Sequence, residues 1–404
     1  MGHKHSHEEH SKGPSREEAA AAAVFKDLGQ GNETIKRENF DQAFGKKIGH
    51  ALWHKFAGNA ESVNLAAFTK GYAQVTDLRT DQWIEMFPSV EDFFDACLSV
   101  LGSSLTEADK KYIADIKSEA QKTGLSRYFD STFPGLLAYT ILRKFRNVIY
   151  RCYDQPQVIF ETHSAILSPL QFVLLQASLS ESVYFKHKTH NKPCWTRIYD
   201  SAHHGLSVNR YEAKVFGYQS PSVAIFKLND GHTFAISTNT EWKHSTKPMG
   251  TTLSRCFQLT PTFKQIESRN PEPIFCNFKY KSSEFGLGFK DAFKIPAEFD
   301  NVAAIEVWGC GDDKSIEDQE TLKARQRAAA ERNQKVPLPG NWDENPDKSI
   351  MEMAGFKFSN ERNKPGAASR ALSRQFGHST TTVLPSCLFT SPPSVHLSSI
   401  SCGA

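Results

Sequence analysis

The sequence predicts an α+β protein with an all-helical first half and, after it, a β-sandwich flanked by helices. Three observations predict it. Apolar residues recur at helical spacing through roughly the first 160 positions, as in Phe40, Ala43, Phe44 and Ile48. Beyond that point short β-like runs take over: Trp195 to Tyr199, Val223 to Leu228, Thr233 to Thr238, Phe275 to Tyr280 and Ala303 to Trp308. Asn229-Asp230-Gly231 lies between two of these runs and is a hairpin signal. Short strands with helices between them indicate a sandwich rather than a parallel nucleotide-binding sheet.

Residues 1–20 are expected to be a disordered tail. Met1-Gly2-His3-Lys4-His5-Ser6 fits the acceptor pattern for N-myristoylation, with the acyl chain on Gly2. One myristoyl chain binds a membrane only marginally, so a second contact is required for stable anchoring. Residues 21–102 form a helical module, introduced by the Ala-rich stretch Glu17 to Phe25. Around Asn59 to Phe68 a polar loop, one β-branched residue and a helix start follow in order. The module resembles an EF-hand pair in outline, without the calcium chemistry. Setting Ile35 at the loop's central aliphatic position puts Leu28 first and Asn39 twelfth; setting Val63 there puts Phe56 first and Ala67 twelfth. A calcium loop needs oxygen ligands at both places, so no metal is expected.

Pro88 closes the module, and Ser89 caps a helix through Phe93, Phe94, Cys97, Leu98 and Leu101. Residues 103–160 read as a helical connector. Thr106 begins a helix carrying Tyr112, Ile113 and Ile116, and another lies near Pro134, through Leu137, Ile141, Leu142 and Phe145. Within residues 161–311, Ser168 is an N-cap with Pro169 at the first helical position. Residues 312–358 begin with a charged, Ala-rich helix from Asp313 to Lys335. An irregular link from Leu338 to Pro346 and a short docking segment from Ile350 to Phe358 follow. The helix has only a weak apolar stripe, Ile316, Leu322 and Ala329, so its contact with its own domain is exchangeable. Its charged surface, with Glu317, Lys323, Arg325, Arg327 and Arg332, is therefore a candidate partner contact. Residues 359–404 are Ser/Thr-rich and aperiodic, hence expected to be disordered.

Composition narrows the function classes. A net charge of +3 over 404 residues gives no nucleic-acid field. No apolar run approaches the roughly 18 residues that span a bilayer. The polar N-terminus lacks the apolar core of a secretory signal. Eight cysteines form no CxxC pair, which predicts reduced thiols in a cytoplasmic protein.

One constellation points further. Cys194 to Ser207 reads CWTRIYDSAHHGLS, and Ala304 to Gly311 reads AIEVWGCG. The order and spacing of Trp195, Tyr199, Ser201, His204, Gly205, Ser207, Glu306, Val307, Trp308 and Gly309 resembles the TLDc domain family. Gly250 and Phe285-Gly286-Leu287 fit its middle. The departure is at Phe289, which runs almost directly to Phe293 and Ile295 where the family has some further strand. The whole layout, acyl signal, EF-hand-like helices, TLDc domain and charged helix, resembles the mTOR-associated TLDc protein subfamily. That resemblance implies a non-enzymatic adaptor, peripheral on lysosomal or other endomembranes through its myristoyl group. It implies cytosolic subunits of the V-ATPase and TOR-pathway signalling proteins as partners, and no cofactor. The alternative it leaves is oxidative-stress protection through a redox or hydrolase activity of the domain.

Asp200, His204 and Ser207 invite the hydrolase reading, yet three residues so close in sequence rarely reach triad geometry. Ser207 before Val208 to Phe216 reads better as a helix N-cap, and His204 as a buried hydrogen-bonding residue of the turn. Trp195 and Trp308 read as core. Zinc binding by His203, His204 and Cys194 lacks ligand spacing. A redox role for Cys310 requires a depressed thiol pKa.

Overall fold

The computed structural model of the chain describes residues 16–150, 163–185, 195–282, 285–290, 292–334 and 346–357. The chain divides into two compact units, residues 1–330 and 331–404. Gly2 and the residues around it lie outside the described ones. Helix already begins at Arg16, inside the stretch expected to be tail, because Arg16 to Glu18 leads directly into a run of alanines.

Six elements build the EF-hand-like outline. They are α1 (Arg16–Leu28), β1 (Thr34–Lys36), α2 (Arg37–Phe44), α3 (Lys46–Ala57), β2 (Ser62–Asn64) and α4 (Leu65–Thr76). β1 and β2 pair antiparallel with Ile35 opposite Val63, and both side chains are fully buried. The stripe from Phe40 to Ile48 is divided between two helices, since Gly45 turns the chain at φ 87°.

Next come α5 (Thr80–Glu85), α6 (Val90–Val100), α7 (Glu107–Thr123), α8 (Leu125–Thr132), α9 (Leu136–Tyr139) and α10 (Ile141–Tyr150). Ser89 Oγ accepts from Asp92 N at 3.1 Å. Thr106 and Asp109 form a reciprocal capping box, the Asp109 carboxylate accepting from Thr106 N. The single helix expected near Pro134 is two, α9 and α10, broken at Thr140, whose hydroxyl donates to Leu136 O. α10 buries Ile141, Phe145 and Ile149. The Phe145 ring stacks on Phe44 of α2 at 5.8 Å and Tyr72 of α4 at 6.5 Å, and meets Trp83 of α5 edge-on at 6.1 Å. One residue of α10 thus fills the apolar face shared by both helix pairs.

The strand region opens with α11 (Pro169–Ala177) and α12 (Glu181–Tyr184). Then follow β3 (Thr196–Asp200), α13 (Ser201–His204), α14 (Val208–Val215), β4 (Ser222–Leu228), β5 (Thr233–Thr238), β6 (Arg255–Thr260) and β7 (Lys264–Ile266). β8 (Ile274–Asn277), β9 (Gly286–Phe289), β10 (Phe293–Ile295) and β11 (Val302–Gly309) complete it. One sheet has the order β3-β11-β4-β5-β6-β7, the other β10-β9-β8. Asn229-Asp230-Gly231 turns β4 into β5, with Lys227 opposite Thr233. The shortened stretch after Phe289 still pairs β9 with β10, Phe289 opposite Phe293 and Leu287 opposite Ile295.

Alternation assigns the two faces of the large sheet. Tyr199, Ala224, Phe226, Ile236, Ile305 and Val307 point into the sandwich, against Leu287, Phe289 and Ile295 of the small sheet. Val223, Ile225, Ala235, Phe257 and Trp308 point the other way and join one continuous core with the helices. Phe172 of α11 packs on Trp195 at 5.5 Å and on Trp308 at 5.0 Å, and Phe133 meets Phe263 at 4.8 Å. Burying each such side chain is worth about 1.5–3 kcal/mol, so the helical half is the second lid of the sheet rather than a separate connector.

The first unit ends within α15 (Lys314–Gln334); α16 (Pro346–Met353) lies in the second. Lys335 and most of the link after it lie outside the described residues, as do Phe358 and the tail expected to be disordered. Pro346, expected in the link, begins α16, where proline costs no hydrogen bond. Ile350, Met353 and Phe356 of this short segment are exposed. Among the described residues no helix is long and apolar enough to cross a membrane.

Candidate functional site

The constellation read from the sequence assembles where β3 and β11 lie side by side. Glu306 stands opposite Asp200 on β3 and Ile225 on β4, and it is fully buried. A carboxylate in that position must be matched by donors. Glu306 accepts from Ser164 Oγ and from Ala165 N, both at 2.6 Å, and from Trp308 Nε1 at 3.3 Å. Ser164 Oγ in turn accepts from Ile166 N and Leu167 N. The turn that launches α11 is therefore pinned to the middle of the sheet.

Arg197 pins the same turn from the edge. Its Nη2 donates to His163 O at 2.5 Å, its Nη1 pairs with Asp200 at 3.0 Å, and its guanidinium lies 4.8 Å from the Trp308 ring centroid. Asp200 is buried, accepts from Ala202 N to cap α13, and meets His203 Nδ1 at 2.8 Å. Burial raises its carboxyl pKa, but His203, the Ala202 N–H and Arg197 outweigh it and hold the group below the ordinary carboxylate range.

The HGxS element is a knitted turn. Tyr199 OH donates to Gly205 O at 2.8 Å, and Arg210 Nη1 donates to His204 O at 2.8 Å. Gly205 sits at φ 80°, a conformation that favours glycine, and the Arg210 guanidinium fills the space a Cβ would take. His204 is half-buried, stacks on Tyr199 and accepts from Asp200 N through Nδ1 at 3.1 Å. Burial, then Lys214, push its pKa below the ordinary histidine value. Ser207 Oγ accepts from Arg210 N at 3.4 Å and caps α14, as the sequence predicts. Ser201 Oγ crosses to β11, accepting from Ile305 N. Trp195 and Trp308 are core, and Gly309 ends β11 against Tyr218.

Chemically this is a clasp. Ser207 and His204 each face backbone groups instead of one another. Cys97, Cys256, Cys276 and Cys310 are buried. Burial pushes the Cys97 thiol up to about 12 and raises Cys256 and Cys276 as well, which keeps them protonated and poorly nucleophilic. Cys194 lies outside the described residues. Among the described residues no group of three His, Cys, Asp or Glu side chains is placed to hold a metal ion.

The charged helix divides along its length. Gln319 is buried, and its amide donates to Lys214 O at 2.8 Å, Phe216 O at 3.0 Å and Val215 O at 3.4 Å, capping the C-terminus of α14. Lys323 Nζ donates to Lys214 O at 3.0 Å. Burial first, then the Lys214 and Arg327 charges, lower its pKa to about 8. Lys323 is thus committed to its own domain. Glu317, Arg325, Arg327 and Arg332 are exposed, and so is every residue from Ala324 to Arg332.

With this geometry in place, comparison with known families gives a match to part of the chain. Residues 160–303 match the TLDc domain. The matched span covers rather more than a third of the chain, from the turn held by Glu306 to the second residue of β11. Glu306, Trp308 and Gly309 lie just beyond it, on the strand that completes the large sheet of the TLDc domain. No curated protein matches the chain.

Proposed function

We propose that the protein is a non-enzymatic adaptor, recruited to lysosomal or other endomembranes by a myristoyl group on Gly2. Its TLDc domain would bind a cytosolic subunit of the V-ATPase and couple the pump to TOR-type growth signalling. The TLDc match at residues 160–303 carries the reading. The fuller layout, with acyl signal, EF-hand-like helices and charged helix, resembles the mTOR-associated TLDc subfamily and supplies the named partners. The exposed half of α15 supports a contact made through Arg325, Arg327 and Arg332, since rim charges chiefly steer association.

The second reading is an oxidative-stress protein with redox or hydrolase chemistry in the TLDc domain. Ser207 acting as a cap, and the burial that keeps the Cys97, Cys256 and Cys276 thiols protonated, favour the adaptor over it. The deciding experiment is binding of the purified full chain to the cytosolic sector of the pump at several salt concentrations. Reversing Arg325, Arg327 and Arg332 to Glu touches no buried group and should weaken binding, more so at low salt. Wild type and Gly2→Ala should bind the soluble sector equally and differ only on membranes. If the wild-type chain ignores the pump, the adaptor reading loses its partner. An intact mass without an acyl chain after eukaryotic expression removes the membrane arm.

A further inference from the structure

The large sheet ends on β7, which pairs with β6 on one side and carries no strand on the other among the described residues. In an antiparallel ladder alternate residues aim N–H and C=O at the neighbour, so at least one residue of β7 presents both outward. Such an edge is a template for a further strand. Lys264 and Gln265 are exposed there.

A groove of about 370 Å³ lies at the end of the β6–β7 pair, between the turn carrying Thr252, Ser254 and Arg255 and the stretch carrying Gln265, Ile266 and Arg269. Its wall is mainly hydroxyl, amide and guanidinium, with one carboxylate, Glu267, against the two arginines. Arg255 Nη1 donates to Thr252 O at 2.5 Å and Ser254 O at 3.1 Å, which fixes the plane of the guanidinium. The Nε and Nη2 donors of Arg255 have no acceptor among the described residues. Arg269 is exposed and has no carboxylate within ion-pair distance among them. Oriented donors without acceptors call for a carboxylate, and a planar guanidinium takes one in bidentate fashion.

We propose that β7 and this groove are a docking site for an extended acidic segment of a partner protein. The segment adds to the free edge of β7 as a strand, and its outward carboxylates meet Arg255 and Arg269. Backbone pairing gives affinity and the arginines give selectivity. Charge argues against the C-terminal stretch as occupant: residues 358–404 contain one acid, Glu361, against Arg362, Lys364, Arg370 and Arg374. The site is separate from α15, so its failure and the failure of the pump reading are distinguishable.

The test uses the full chain and a fluorescent peptide of alternating Val and Glu, read by anisotropy. Two control peptides are a Val–Lys version and a Val–Glu version methylated on alternate backbone nitrogens. The Val–Glu peptide should bind and both controls should not. Arg255→Gln and Arg269→Gln should each weaken binding by about tenfold, the loss of one charge-assisted contact. Arg269 holds no other group, so Arg269→Gln stays informative if Arg255→Gln loosens its turn. The proposal is overturned if the Val–Lys or methylated peptide binds as well as Val–Glu, if Val–Glu does not bind, or if Arg269→Gln binds it unchanged.

Discussion

Replacing Glu306 should loosen the joint between the helices and the sheet. In Glu306→Ala the Ala165 N–H and the Trp308 indole N–H lose their acceptor together. Trp308 is almost fully buried, so water cannot take over. An orphaned buried donor costs about 1–3 kcal/mol, and relief from burying a carboxylate offsets part of the total. The net loss should be about 3 kcal/mol, a large share of the roughly 5–15 kcal/mol that holds a domain folded. Glu306→Gln keeps an oxygen for Ala165 N but turns an amide N–H towards the indole N–H, so its cost should be about 1–2 kcal/mol. Urea unfolding followed by tryptophan fluorescence measures both, and hydrogen exchange locates them. The amides of Ala165, Ile166 and Leu167 should lose protection ahead of the strands. If Glu306→Ala unfolds within about 0.5 kcal/mol of wild type, with those amides still protected, the clasp is not what joins the two halves.

Two further outcomes follow from the same geometry. Gln319→Ala removes a donor shared by three carbonyls, and the first turns of α15 should exchange their amides faster while β11 stays protected; equal exchange rates would show that the helix is held otherwise. His204 has a folded-state pKa below its unfolded value, so its contribution to stability is complete above pH ~6.5 and is lost as pH falls through the lower folded pKa. Protonating Nδ1 also breaks the bond from Asp200 N, so His204→Ala should be less stable at neutral pH and should lose that part of the acid dependence in thermal melts.

Much of this architecture was legible from local signals. Ser89, Thr106, Ser168 and Ser207 cap the helices they introduce, because a cap is a contact over three residues. The Asn-Asp-Gly hairpin is equally local. What escaped is non-local or disguised. β6 alternates only over Phe257 to Thr260, and the buried pair Cys256-Phe257 before it interrupts the pattern, which leaves too short a run to stand out. β9 is four residues long and two of them are glycine, Gly286 and Gly288, so it carries no strand signal of its own. A Cβ on Gly288 would sit 2.3 Å from Phe293 O and 2.6 Å from the Phe275 ring, so the glycine permits the sheet. β8 stops at Asn277 rather than Tyr280 because the Asn277 side chain accepts from Tyr280 N and donates to Tyr280 O, closing a turn. Glu306 stands out as a motif position, but Ser164 and Ala165, which hold its carboxylate, stand more than 140 positions upstream. The available signal was a lone acid in the run Ala-Ile-Glu-Val-Trp, which a buried strand tolerates only when paired.

The seat that Phe145 takes between Phe44, Tyr72 and Trp83 has a mechanical consequence. Calcium sensors report by uncovering an apolar face that then captures a foreign helix. Here that face is taken by a helix of the same chain, whose other neighbours lead into the sheet. A signal arriving at the first helices meets no empty receptor to open. It meets a wedge, and moving the wedge means moving the sandwich with it. The N-terminal helices and the helix-facing side of the large sheet are thereby joined in one continuous buried core.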